Sequence, residues 1–462
     1  MSGSLNLVDK LWNEHFVSSL PDGRDLLFID RHILHEVCSP QAISILEKKG
    51  LKVAHPELTF ATIDHIAQTH PLKRFRSGGV GNELSLAIRK AAQTHGFELF
   101  DLNDERQGIV HVTMPSLGIV QPGMFAACGD SHTCSLGAIG CLGFVVSISE
   151  IAQILATQTI YRSRPKTLKI ELKGELQKEC SAKDVILWLL GKIGVNGATG
   201  FVIEFCGKFV EDLSIEGRFT LCNMAAEMGA FSAVIAPDRK TIEFLEGAEY
   251  APKEEQWREA VVKWLELTSD DDAKFDRQMT YDVSLVDPQI TWGTRPDHVI
   301  SVTDHMPSDF EAQHVSTALD YMGLSTGKPI EGTPIDTAFI GSCTNGRLSD
   351  LISAAAFVKG RRVAEGVRAM VVPGSRNVQN EAEARGLDKI FVKAGFEWHY
   401  SGCSMCAALN NDKVGPFERC ISTSNRNFPG RQGINARTHL ASPATVAASA
   451  IEGRICDPRK AG

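Results

Sequence analysis

Three cysteines offer the most specific chemistry in the sequence. Cys343 lies in Gly341-Ser342-Cys343-Thr344-Asn345, and Cys403 and Cys406 form a C-x-x-C pair in Gly402-Cys403-Ser404-Met405-Cys406. That spacing lets two sulfurs converge on one metal centre across a tight turn. A zinc ribbon needs a second C-x-x-C, which the chain lacks. A thioredoxin-like site would leave Cys343 without a role. Three thiolates with no obvious fourth suit an iron–sulfur cubane with one iron left open. An open iron is a Lewis acid that can hold a substrate oxygen. On spacing alone, a buried free cysteine beside an incidental C-x-x-C explains the same residues.

Histidines and carboxylates form a second set. Asp64-His65, His111 in Gly108-Ile109-Val110-His111, and His132 in Gly129-Asp130-Ser131-His132-Thr133 are candidates for acid–base work. An acid beside a histidine fixes its tautomer and raises its basicity, although neighbours in a strand point apart. Glu204 sits inside an apolar run, where a carboxylate is costly unless paired. Arg426 and Arg431 fall in a Gly/Asn-rich loop after the C-x-x-C and suit carboxylates. By themselves Gln41 reads as an exposed first-turn residue and Ser131 as a turn hydrogen-bonder.

The elements that must position these residues read as α/β. Residues 337–340 form a short apolar strand, 341–342 a turn and 348–359 a helix, so Cys343 falls at a strand-to-helix turn that favours a thiolate. Strands are expected at 25–30, 59–63, 98–102, 108–111, 167–172, 201–205, 369–372 and 389–392. Helices are expected at 6–15, 39–49, 82–95, 150–159, 182–193, 221–228 and 253–266. His70, Lys73, Arg74 and Arg76 make a local basic patch that reads as a solvated loop. Gly137, Gly140 and Gly143 lack dinucleotide spacing and instead allow close backbone packing. Boundaries near Pro165 and residue 300 divide the chain into domains 1–165, 166–300 and 301–462.

Further motifs raise a specific resemblance. Ser422-Thr423-Ser424-Asn425-Arg426-Asn427-Phe428, Ile29-Asp30-Arg31-His32, Ser39-Pro40-Gln41-Ala42, Phe205-Cys206-Gly207 and Thr291-Trp292-Gly293-Thr294 accompany the cysteine and histidine motifs in order. Together they resemble the aconitase family, and within it the large-subunit branch of the isopropylmalate dehydratases, from about Leu5 onward. The resemblance implies three α/β domains with largely parallel sheets around a cluster-binding cleft. It implies a 4Fe-4S cluster with one open iron, held by Cys343, Cys403 and Cys406 with Asn425 against it. It pairs His65 with Asp64, His111 with Asp130 and His132 with Glu204, with His65 protonating the leaving hydroxyl. Gln41, Ser131, Arg426 and Arg431 would bind substrate, a small dicarboxylate. The activity implied is hydro-lyase and isomerase, interconverting 2- and 3-isopropylmalate through isopropylmaleate in leucine biosynthesis. Full-length aconitases add a swivelling domain that carries the base for the carbon proton. No such segment follows here, so the resemblance implies a separate small subunit carrying it. Cys134-Ser135-Leu136 departs from the branch pattern, and residues 72–79 are its least similar stretch.

Composition narrows the partners. The 462 residues suffice for two or three cores, with 43% hydrophobic and 23% charged residues. A net charge of −8 argues against nucleic acid or an anionic membrane as partner. Twelve scattered cysteines do not look like a disulfide framework. No signal-peptide core or transmembrane run is present, so the expected compartment is the cytoplasm. Three other readings compete. One is a hydratase of the same split design acting on citraconate or dimethylmaleate. Another is a cluster-free RNA-binding relative, and the last a scaffold held by zinc.

Overall fold

Short apolar runs bounded by turn residues become parallel strands buried on both faces, as sheets covered by helices require. The computed structural model describes residues 4–73, 80–308 and 313–461. Its contacts divide the chain into two compact units. The first gathers Met1–Ile63, Gly78–Gly174 and Asn196–Asp282; the second gathers Asp64–Ser77, Glu175–Val195 and Val283–Gly462.

In the first unit a five-stranded sheet runs in the order Glu98–Phe100, Thr59–Thr62, Arg31–His35, Phe125–Cys128, Leu142–Val145. All its pairs are parallel. The earliest strand lies in the middle, with two strands added on one side and then two on the other. Open α/β sheets place functional loops at the carboxyl ends of strands beside such a reversal. Asp130 and His132 leave from that end of Phe125–Cys128. A second parallel sheet orders Ser232–Val234, Phe201–Cys206, Lys166–Lys173 and Arg277–Asp282. Gly137 shows why the glycine run is needed: a Cβ there would sit 1.8 Å from the Ala233 carbonyl oxygen.

The second unit repeats the topology. Its sheet orders Glu397–Trp398, Arg368–Val371, Thr337–Ile340, Arg419–Ser422, Arg437–Leu440, again parallel with the earliest strand central. Cys343 follows the carboxyl end of Thr337–Ile340, and Asn425 follows that of Arg419–Ser422. The α/β reading with largely parallel sheets therefore holds in both units.

Two local expectations fail. Residues 108–111 are not a strand: Val110–Ser116 is a helix with His111 in its first turn. Its β-branched residues favour a strand locally, but Val110 to Pro115 are buried and packing decides. Residues 389–392 belong to the helix Leu387–Ala394, whose Leu387, Ile390, Phe391 and Ala394 recur at i, i+3, i+4 and i+7. His32 lies within the strand Arg31–His35, wholly buried, where desolvation pushes its pKa down to about 3. Arg74 and Arg76 of the basic patch lie outside the described residues. Among the described residues no helix is long and apolar enough to cross a membrane.

Candidate active site

The three cysteines come from loops that strain and hydrogen bonds hold in place. Cys343 sits in the single helical turn Ser342–Asn345, and Ser404–Cys406 is a 3-10 turn begun by Cys403. Ser342 and Ser404, beside two of the cysteines, hold φ of 80° and 49°. Non-glycine residues rarely adopt this region unless their surroundings enforce it. The enforcing contacts are visible. The Thr423 hydroxyl accepts from the Gly341 N–H at 2.9 Å and donates to the Gly341 carbonyl at 2.9 Å. The Ser404 hydroxyl donates to Asp412 at 2.8 Å, and the Asn410 amide donates to the same carboxylate at 2.8 Å.

The amide of Asn425 then touches two of the thiols. Its Nδ2 lies 3.5 Å from Cys343 Sγ, and its Oδ1 accepts from Cys406 Sγ at 3.4 Å. All three cysteines are buried and none forms a disulfide. A polar amide between two buried thiols suits an iron–sulfur site, whose sulfurs are tuned by such groups.

The candidate pair Asp64-His65 belongs to the same unit. The strand Thr59–Thr62 ends before it, so the alternation that would splay the side chains does not apply. His65 Nδ1 lies 2.6 Å from Asp64 Oδ1, and Asp64 is wholly buried. The Cys403 N–H donates to the Asp64 carbonyl at 2.9 Å, which joins a candidate proton donor to a candidate cluster ligand. Arg426 is half-buried in the Asn425 loop. The Arg431 guanidinium lies 5.6 Å from the Phe428 ring, and its Nε is buried without a hydrogen-bond partner among the described residues. A buried guanidinium N–H of this kind suits an incoming anion.

Asp130 and both remaining histidines meet in the first unit. Asp130 Oδ1 lies 2.8 Å from His111 Nε2 and accepts from the His132 N–H at 2.7 Å. Ser131 Oγ is 3.4 Å from His132 Nδ1. His132 Nε2 contacts Glu227 at 2.8 Å, not Glu204. The expected His132–Glu204 pairing is therefore wrong. Glu204 points elsewhere in its strand, where both carboxylate oxygens accept from Ser269 Oγ at 2.8 Å. The departure Cys134-Ser135-Leu136 packs beside His132: Ser135 Oγ donates to the His132 carbonyl and accepts from Asn223 at 2.9 Å. Gln41 is exposed in the first turn of Ser39–Lys48.

Two residues that the sequence reading passed over stand out. Glu227 lies in the run 223–228, and the cost of burying a carboxylate, argued for Glu204, applied to it equally. Lys183, in the first turn of Ala182–Ile193, is wholly buried. Burial pushes its ammonium down to about 7, against an upward pull from Asp350 and the Cys406 and Cys343 thiols.

Glu204 has a consequence for stability. Burial holds its pKa above the ordinary value of 4.5, against the Ser269 hydrogen bond and Lys169. A carboxyl raised on folding binds more protons in the folded state, so stability falls as pH rises from the unfolded pKa through the folded one. Glu204→Gln removes that slope. Thermal melts at pH 4 and pH 7 are expected to show the variant gaining relative to the unmutated chain at the higher pH.

Comparison with known proteins identifies the family. The family model described as aconitase family (aconitate hydratase) matches residues 9–453. A curated relative, "3-isopropylmalate dehydratase large subunit 1" from Bradyrhizobium diazoefficiens, is 48% identical over 461 residues, covering 98% of this chain and 96% of its own length. Among solved structures, Thermococcus kodakaraensis aconitase X in its holo-form aligns with a TM-score of 0.48 and 13% identity, covering 87% of this chain and 84% of that one.

Proposed function

The chain belongs to the aconitase family, and from that premise we propose that it is the large subunit of a 3-isopropylmalate dehydratase. The reaction removes water from one 2-hydroxy dicarboxylate and adds it back the other way round, interconverting 2- and 3-isopropylmalate through isopropylmaleate. It serves leucine biosynthesis. Near-full-length identity to the curated large subunit supports the substrate. The observation that carries the chemistry is the Cys403 N–H on the Asp64 carbonyl, beside a histidine already set on the Asp64 carboxylate.

Iron–sulfur chemistry belongs to the family, and Cys343, Cys403 and Cys406 would hold a 4Fe-4S cluster with one open iron. When bound, that group supplies a Lewis acid for the substrate hydroxyl and a carboxylate. The other roles fall to side chains. His65, oriented by Asp64, delivers the proton that lets hydroxide leave as water. Arg426 and Arg431 neutralise the carboxylates and stabilise the aci-carboxylate formed when the carbon proton is lost. His111 with Asp130, and His132 with Glu227, form the other acid–base pairs, and Asn425 spaces the thiols. Gln41 and Ser131 contact substrate.

The words "large subunit" in the relative's name support a small-subunit partner. In this reading the small subunit carries the swivelling domain with the base for the carbon proton, so the isolated chain is inactive. Twelve free thiols support a reducing compartment, the cytoplasm. Each of the larger parallel sheets falls inside one of the segments 1–165, 166–300 and 301–462, which supports that division into domains.

The test is a steady-state assay of the reconstituted chain with its small subunit on 2-isopropylmalate and on citraconate. Preference for 2-isopropylmalate is expected. Equal or better turnover of citraconate moves the chain to a hydratase of the same split design, a reading that the Cys134-Ser135-Leu136 departure beside His132 keeps in play.

A further inference from the structure

A lysine in the first turn of a helix is on the wrong end of the helix dipole, and one buried there is costlier still. Lys183 is in that position and fully buried. Its Nζ donates to the Thr423 carbonyl at 2.8 Å and the Ser424 carbonyl at 2.7 Å, the two residues before Asn425. Among the described residues no carboxylate lies within ion-pair distance of it. The neighbouring Asp184 is turned to other donors, accepting from the Ser181 and Gln289 N–H groups at 2.8 and 2.9 Å. The Thr423 and Ser424 carbonyls lead into Asn425, whose amide touches the Cys343 and Cys406 thiols.

We propose that Lys183 is the buried countercharge of the cluster site, a positioning residue that fixes the Asn425 loop and stabilises the reduced cluster. This rests on the cluster reading above. A cubane core held by three thiolates carries net negative charge, more so when reduced. A fixed cation beside the ligand loop offsets it, and the cluster in turn provides what a lone buried ammonium lacks. The two carbonyl hydrogen bonds tie the charge to the backbone that delivers Asn425, so charge and geometry act together.

The experiment uses the full chain, reconstituted anaerobically, with Lys183→Gln, Lys183→Met and Lys183→Arg. Iron and sulfide content, the cluster midpoint potential and the rate of iron loss to a chelator are measured, with circular dichroism of each apo-protein as the folding control. Both neutral variants are expected to shift the potential to more negative values and to lose iron roughly tenfold faster or more, the scale of a lost charge-assisted hydrogen bond. Lys183→Arg restores the potential toward that of the unmutated chain. A folded neutral variant with unchanged potential overturns the proposal. So does failure of both neutral variants to fold as apo-protein, which marks a purely structural lysine. An unmutated chain that takes up no iron defeats the cluster reading itself, a result distinguishable from either.

Discussion

Cys403→Ser is expected to leave a folded chain that takes up no cluster. After anaerobic reconstitution the unmutated chain should carry about four iron and four sulfide, and the variant close to none. Serine keeps the backbone contacts that hold the loop, the Cys403 N–H on Asp64 and the Cys406 N–H on the Cys403 carbonyl. The thermal cost of this small buried substitution is therefore about 1 kcal/mol. The chemical cost is much larger, because a neutral hydroxyl does not replace a soft thiolate as an iron ligand. With the small subunit present, turnover should fall by about 10³-fold or more, since Lewis-acid assistance is worth several kcal/mol. Zinc without sulfide in the unmutated protein would instead favour a scaffold. A folded chain binding neither would favour a degenerate binding relative, and a salt-sensitive gel shift with RNA would then be needed to support it.

Glu227→Gln and Glu204→Gln are expected to separate sharply. Glu227 meets His132 Nε2 at 2.8 Å, whereas Glu204 is occupied by Ser269. In the proposed acid–base role His132 contributes about 10²–10⁴-fold, of which losing the orienting carboxylate forfeits on the order of 10–100-fold. Glu227→Gln should therefore lower kcat by about that factor, with KM little changed. Glu204→Gln should stay within about threefold while changing the pH dependence of melting. The reverse pattern would restore Glu204 as the partner of His132 and show that the loop around Glu227 rearranges on substrate binding.

Where signals were local, the sequence was legible. The C-x-x-C turn and the apolar run before Cys343 depend on neighbours within a few residues. The Asp64-His65 contact was legible in its chemistry but not its geometry, because it required the strand to stop at Thr62. His111 was assigned to a strand because Ile109, Val110 and Val112 are β-branched. The buried environment made the segment a helix and so set His111 Nε2 on Asp130.

Residue types and local spacing were legible without the fold: three candidate thiols, three candidate histidines, two arginines in one loop, and apolar runs that form parallel α/β sheets. Their partners came from packing. Glu227 reaches His132 across 95 positions, and Lys183 reaches the Asn425 loop across about 240. A buried charge is stable only where the fold brings it a matching group, and no spacing rule connects residues that far apart. Burial made Glu204 and Glu227 equally plausible, and the packing of the first unit alone chose between them.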